Sequence, residues 1–166
     1  MEIKKLTATE ATAFLTFLRQ LDYETNFMLF NPDERRTTNL EMQQQIVETY
    51  QQNGVILVAQ DKNNILGFIS ATRSNMQKIK HIAYIVIGIR KKFRHQGVGK
   101  KLFEELFKWV FQNQVTKLEL TVMVNNLVAL HLYQQNGFEI EGCKRNSIFQ
   151  EGHYIDEYYM GKIISN

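Results

Sequence analysis

A glycine-containing turn with basic neighbours is the segment of the sequence best equipped for chemistry. It reads Arg94-His95-Gln96-Gly97-Val98-Gly99 and lies between the most apolar predicted strand, 81–90, and a predicted helix, 98–113. Glycine lets a backbone approach a phosphate closely, and the free N–H groups of a helix's first turn attract anions. The turn is a candidate pyrophosphate site, although glycines also occupy such turns for steric reasons alone. Its spacing matches neither the Rossmann fingerprint nor the Walker loop.

Basic residues surround this turn. They are Arg90, Lys91, Lys92, Arg94, Lys100 and Lys101. Such a cluster suits a ligand that carries several phosphates, although by itself it is more typical of a solvated loop.

A second group of residues lies on a predicted short helix, 127–135, which follows an alternating strand, 117–124. Asn126 is placed to cap this helix, and Asn136-Gly137 is a helix-stop signal. Tyr133 admits two interpretations. It is a half-buried packing residue, or its hydroxyl donates a proton to a leaving group.

The elements that position these residues follow from hydrophobic periodicity and turn signals, and they predict the order β-α-α-β-β-β-α-β-α-β-β. Thr9 is expected to cap the first helix, with Ala13 among its inward residues, and Thr38 with Glu41 forms a capping box at the second. Strand 81–90 is expected to be buried on both faces. Two hairpins are predicted, with turns at 61–64 and 150–152. We expect a single domain spanning residues 1–166.

Composition excludes several classes of protein. The chain of 166 residues is 44% apolar and has a net charge of +3, which does not demand a nucleic-acid partner. No apolar stretch reaches the ~20 residues of a membrane helix, and no signal-peptide pattern is present, so we expect a cytoplasmic protein without membrane contact. The four histidines lack partners at metal-ligand spacing, and the lone Cys143 has no nearby histidine.

The two patterns together, Arg94-x-Gln96-Gly97-x-Gly99 and Asn126-x-x-Ala129-x-x-Leu132-Tyr133, resemble those of the GNAT-type N-acetyltransferases in order and spacing. The resemblance covers roughly residues 55–162, and within the family it favours the branch that acetylates small molecules and amino acids. It implies a mixed α/β fold: a mostly antiparallel seven-stranded sheet, splayed between strands four and five and flanked by about four helices. It also implies acetyl-CoA as cosubstrate and no metal.

The resemblance carries roles over to individual residues. Cofactor binding falls to Ile87, Gly88, Ile89, Arg94, Gln96, Gly97, Val98, Gly99, Lys100 and Asn126. Strand four would offer backbone groups to the pantetheine arm, which then pairs as an added strand. Gly88 is interpreted either as a β-bulge that opens the gap or as a packing glycine under an aromatic ring. Tyr133 corresponds to the family's general acid.

The general base is where the sequence departs from the family pattern, because strand 81–90 contains no Asp or Glu. The remaining candidates are His81, Tyr84, Glu119, Glu24 or an ordered water. We expect deprotonation through water, with no indispensable carboxylate, because an α-amine is partly neutral near pH 7.

The acceptor is predicted to be a primary amine of a small molecule or amino acid. Protein N-termini are the alternative acceptor. The alternatives from another class are a non-catalytic acyl-CoA sensor and a nucleic-acid module that uses the basic turn. Segment 21–36, which fits no clean helical period, is interpreted either as part of the acceptor pocket or as a loop packed on the core. A tyrosine group, Tyr154, Tyr158 and Tyr159, is interpreted as sheet surface or as the contact of a homodimer.

Overall fold

The computed structural model describes residues 1–62 and 64–165. Seven strands and four α-helices follow one another in the predicted order. The strands are β1 Glu2–Lys5, β2 Val55–Asp61, β3 Asn64–Arg73, β4 Ile82–Ile89, β5 Lys117–Met123, β6 Glu139–Gln150 and β7 His153–Ile163. The helices are α1 Ala11–Glu24, α2 Asn39–Gln51, α3 Val98–Gln112 and α4 Leu127–Gln135. Asn63 of the predicted 61–64 turn and Asn166 at the predicted domain end lie outside the described residues.

All seven strands form one sheet in the order β1-β2-β3-β4-β5-β7-β6. Strands β4 and β5 run parallel, and the other neighbouring pairs run antiparallel. The register between β4 and β5 covers only Ile82, Ala83 and Tyr84 of β4. Beyond Tyr84 the two strands separate. The predicted fold, a mixed sheet splayed between its fourth and fifth strands, is confirmed.

Helices cover both faces of the sheet and bury two separate cores. On one face α3 packs through Val98, Leu102, Leu106, Trp109 and Val110, the inward residues predicted from its periodicity. On the opposite face α1 and α2 pack against Ile56, Val58 and Phe68. Because side chains alternate along a strand, residues of β4 and β5 divide between these two faces. No helix among the described residues is both long and apolar enough to cross a membrane.

Of the two predicted helix N-caps, the one at α2 is confirmed and the one at α1 is wrong. At α2 the Glu41 N–H donates to Thr38 Oγ1, at 3.2 Å, and the Thr38 N–H donates to the Glu41 carboxylate. At α1 the chain first makes a 3-10 turn, Ala8–Glu10, in which Glu10 accepts the Thr7 N–H. Thr9 is therefore not the cap. The inward face of α1 is otherwise as predicted, but Ala11 is buried on it and Ala13 is exposed.

Candidate active site

A cavity of about 1580 Å³ passes through the sheet where β4 and β5 separate. Its walls include residues from both helical layers, from α1 and α2 on one face and from α3 and α4 on the other. A typical small-molecule pocket measures roughly 300–1,000 Å³. The cavity is therefore large enough for two ligands that meet at the gap between the strands.

The α3 end of the cavity contains the glycine-rich turn. Gly97 caps α3 with a φ of 76°, and a β-carbon built on it would meet no atom within 4 Å. The left-handed backbone needs glycine, and the open space above it is cavity. Gly99 differs, because a β-carbon there would lie 3.3 Å from Ile89 and from Leu132. That glycine permits close packing of α3 against β4 and α4.

Two polar residues of the turn take structural positions. The Arg94 Nε donates to the Ile89 carbonyl at 3.0 Å, which ties the turn to the end of β4 while the side chain lines the cavity. The Gln96 Nε2 donates to the Lys92 carbonyl at 2.8 Å. Gln96 is not among the described residues that line the cavity, whereas Val98 and Lys100 are.

Beyond Tyr84, the edge of β4 that faces the gap has no strand partner among residues 1–62 and 64–165. The Arg90 N–H donates to the Leu66 carbonyl, so these two residues form a hydrogen-bonded pair. Such pairs alternate along an antiparallel ladder, and the next one therefore joins Gly88 to Phe68 of β3. The intervening Ile85, Ile87 and Ile89 direct their N–H and C=O groups toward β5. Of the predicted pantetheine residues, Ile87 and Ile89 thus turn their backbone groups toward the gap, and the Ile89 carbonyl there accepts from Arg94.

The structure decides between the two interpretations of Gly88. Its register with β3 is continuous from Gly67 to Arg73, so the predicted bulge is wrong. A β-carbon on Gly88 would lie 2.5 Å from Leu21 and 2.8 Å from Phe68, so the glycine is required for packing. The expectation that β4 is buried on both faces is also wrong. Tyr84 and Val86 are more than a third exposed because they line the cavity.

Tyr133 lies on the α4 wall of the cavity. Its ring packs against Phe103 and Phe138, and only 6% of the residue is exposed. Burial, and after it the neighbouring Tyr84 phenol, raise the pKa of Tyr133. The hydroxyl therefore stays protonated at neutral pH. Asn126 caps α4 as predicted, accepting the Ala129 N–H at 3.3 Å, and it too lines the cavity.

The side chains predicted as candidates for the general base differ in whether they reach the cavity. Glu24 accepts from Arg90 Nε at 2.7 Å and from the Lys91 N–H at 2.6 Å, which fixes the loop after β4. Glu119 pairs with Lys117 at 3.0 Å. Of the four side chains named from the sequence, Tyr84 lines the cavity, and its hydroxyl bonds Thr121 Oγ1 at 2.8 Å.

A carboxylate that sequence reasoning missed lies in the wall on the α1–α2 face. Glu157 of β7 is only 8% exposed and lies opposite Met123 of β5. Ser147 Oγ donates to Glu157 Oε2, and Lys144 Nζ lies 3.8 Å from the same oxygen. The sequence of β7 alone does not indicate that Glu157 is buried, because its burial depends on how β7 pairs with β5 and β6.

The loop between α1 and α2 closes this side of the cavity. Phe27, Met28, Leu29 and Phe30 line it, so the predicted pocket role of segment 21–36 has structural support. A buried ion pair anchors the loop: Arg35 donates to both oxygens of Asp22, at 2.7 and 2.9 Å.

Possible metal ligands and the Cys143 thiol are the remaining chemical groups of the chain to consider. Within residues 1–62 and 64–165, no group of three or more His, Cys, Asp or Glu side chains is placed to hold a metal ion. Cys143 lies in β6 on the surface. Desolvation, followed by the nearby Asp156 carboxylate, raises the pKa of its thiol, which disfavours the nucleophilic thiolate.

The acetyltransferase (GNAT) family profile matches residues 15–138 of the chain. The chain belongs to this family. It is therefore an acyltransferase, as the two sequence patterns predicted. This GNAT protein is 30% identical over 111 residues to L-amino acid N-acetyltransferase AaaT of Escherichia coli K12, covering 64% of the chain and 67% of that relative.

Solved structures agree with this membership. A GNAT-family acetyltransferase from Streptococcus pneumoniae is 31% identical to this GNAT protein, with a TM-score of 0.93 and 99% of both chains covered. The structure of yncA from Salmonella typhimurium with its cofactor acetyl-CoA has a TM-score of 0.87 at 12% identity. It covers 100% of this chain and 95% of that one, and shares the fold.

Proposed function

We propose that this GNAT protein transfers the acetyl group of acetyl-CoA directly to the primary amine of an amino acid or similar small molecule. The observation that carries the proposal is the cavity through the sheet, which has one compartment on the α3–α4 face and another on the α1–α2 face. A thioester and an amine entering from opposite faces would meet at the gap between β4 and β5. Holding both reactants there makes the step effectively unimolecular.

Acetyl-CoA is the cosubstrate, and the chain's own groups fit its parts. The N–H groups at the start of α3 and the open space at Gly97 suit the pyrophosphate, with Arg94 and Lys100 supplying positive charge. The backbone edge of β4 beyond its last pair with β5, at Ile87 and the Ile89 N–H, suits the amides of the pantetheine arm as an added strand. Val98, Gly99 and Asn126 complete the wall on the α3–α4 face.

Acetyl-CoA supplies an activated thioester that an amine can attack, and two groups of the protein assist that attack. Backbone N–H groups of β4 in the gap can stabilise negative charge on the carbonyl oxygen, as an oxyanion hole does. Tyr133, kept protonated by burial, holds a proton for the departing sulfur.

The acceptor compartment favours a small molecule. It is closed by the apolar side chains of segment 21–36, and that loop is anchored by the Asp22–Arg35 ion pair. The relative from Escherichia coli is named as an L-amino acid N-acetyltransferase, which supports an amino acid as acceptor.

The test is a panel of acceptors incubated with acetyl-CoA and purified protein, with mass spectrometry of products and measurement of released thiol. The proposal predicts N-acetylated amino acids or small amines, with one thiol released per product. Acetylation of peptide N-termini alone would assign the chain to protein acetylation. Binding of acetyl-CoA without any product would make it an acyl-CoA sensor.

A further inference from the structure

The wall of the acceptor compartment contains a buried acidic side chain with no role in the steps above. Glu157 is 8% exposed, whereas most carboxylates lie in water. A buried carboxylate costs free energy unless it is paired or hydrogen-bonded, and those partners are Ser147 and Lys144.

The position of Glu157 follows from the strand registers. Leu118, Leu120 and Val122 of β5 face α3, so Thr121 and Met123 face the opposite side of the sheet. Directly opposed residues in an antiparallel pair lie on the same face, which puts Glu157 beside Met123 and Tyr159 beside Thr121. Glu157 therefore lies on the acceptor face, in the next pair on that face beyond Thr121, the residue that Tyr84 contacts.

A bulge in β6 supplies the partner of this carboxylate. The β6–β7 register shifts between Lys144 and Ile148, and Asn146 adopts a φ of 51° there. The Asn146 N–H donates to Asp156 at 2.7 Å, and the bulge presents Ser147 to Glu157. Bulges beside active sites commonly re-aim a side chain in this way.

Both contacts from β6 are to the same oxygen, Oε2. Oε1 makes no such contact with any described residue, and Glu157 lines the cavity. The other titratable groups that line the acceptor face are Lys144, Arg35, Tyr84 and Tyr159.

We propose that Glu157 is the catalytic base that takes the proton from the acceptor's ammonium group. This inference rests on the proposed acetyl transfer. The ammonium N–H bond breaks, the proton passes to the Glu157 carboxylate, and the freed lone pair forms the new C–N bond. The C–S bond breaks, and the sulfur takes the Tyr133 proton. The second amine proton restores the Tyr133 phenol, and Glu157 returns its proton to solvent.

The test compares Glu157→Gln with Glu119→Gln, a matched substitution on the same sheet outside the cavity. With an acceptor identified from the panel, Glu157→Gln should lower kcat by ~100- to 10,000-fold, and Glu119→Gln should change it less than about threefold. Acetyl-CoA affinity should be unchanged in both variants.

The pH profile separates a base from a structural residue. Wild-type kcat should level off below the amine's own pKa, whereas kcat of Glu157→Gln should keep rising until solution pH reaches that pKa. Glu157→Asp, which keeps the carboxylate, should restore the wild-type shape, and it remains informative if the Gln variant does not fold.

Each outcome bears on a distinct claim. An active wild type whose Glu157→Gln variant keeps its rate and profile overturns the role of Glu157 and leaves acetyl transfer standing. A Glu157→Asp profile without the wild-type plateau also overturns that role. A wild type that acetylates no amine overturns the proposed function, and the base with it.

Discussion

The hydroxyl of Tyr84 hydrogen-bonds Thr121 Oγ1 at 2.8 Å, across the point where β4 and β5 stop pairing. The Thr121 N–H also donates to the Tyr84 oxygen, at 3.3 Å. A side chain thus holds the two strands together at the apex of the gap, where backbone pairing ends. Loss of this link would lengthen the gap that the reactants share.

The link between Tyr84 and Thr121 should be measurable in a double-mutant cycle. Tyr84→Phe and Thr121→Val should each lower the free energy of unfolding by about 0.5–1.5 kcal/mol, and together by less than the sum. Denaturant unfolding of the four proteins gives the coupling. Additive effects would show that the hydrogen bond contributes nothing to stability.

The turn before α3 should tolerate no β-branched residue at Gly97. Gly97→Val forces a left-handed backbone on a residue that avoids it and places a side chain in the cavity. The dissociation constant for CoA should rise at least tenfold, a loss of about 1.4 kcal/mol.

Gly152→Val is the control for Gly97, because Gly152 has a φ of 80° and equally open surroundings but lies in the β6–β7 turn. It should cost similar stability and leave CoA affinity unchanged when measured by calorimetry. Unchanged affinity in folded Gly97→Val would place the phosphate site elsewhere.

Removal of the Tyr133 hydroxyl should slow turnover without weakening CoA binding. Tyr133→Phe keeps the ring between Phe103 and Phe138, so we expect kcat to fall ~100- to 10,000-fold. Because burial raises the pKa of Tyr133 above its ordinary value near ~10, its protonated form persists to higher pH, and kcat should not decline between pH 7 and 9 on its account.

Tyr154→Phe, at an exposed tyrosine outside the cavity wall, serves as the control for Tyr133. Turnover of Tyr133→Phe within twofold of the control would mean that the residue only packs.

The packing at Gly88 predicts a stability effect. Gly88→Ala would force a methyl group to within 2.5 Å of Leu21 and 2.8 Å of Phe68, and such overpacking costs ~1–3 kcal/mol. Gly142→Ala is the matched strand glycine, where the new atom would meet only Tyr159, at 3.9 Å. Thermal unfolding should show a lower Tm for the first variant and little change for the second. Equal Tm values would contradict the close contact.

Local patterns predicted most of the fold, because apolar periodicity and caps are short-range signals. The inward residues of α3 and the Thr38–Glu41 capping box follow from a few neighbouring residues each. The prediction that Thr9 caps α1 is wrong because a 3-10 turn precedes the helix. Thr7, not Thr9, is the residue at the start of that turn.

The site was harder to predict, because it is assembled from residues distant in sequence. Tyr133 and the turn at Gly97 belong to motifs whose residue spacing can be recognised in the sequence. Glu157 belongs to no such motif, since its burial depends on the register with β5 and on a bulge in β6. The open backbone edge at Ile87 likewise exists only because β5 diverges after Tyr84.

The central claim, direct transfer between two ligands that meet in the gap, is tested most directly by two-substrate initial-rate kinetics. Acetyl-CoA and the acceptor amine are varied together, and the protein is checked for retained acetyl label. Intersecting reciprocal plots and no acetylated protein are the predicted result, because both reactants must occupy the cavity at once. Parallel plots with a labelled acetyl-protein formed in the absence of the amine would show a covalent relay and contradict direct transfer.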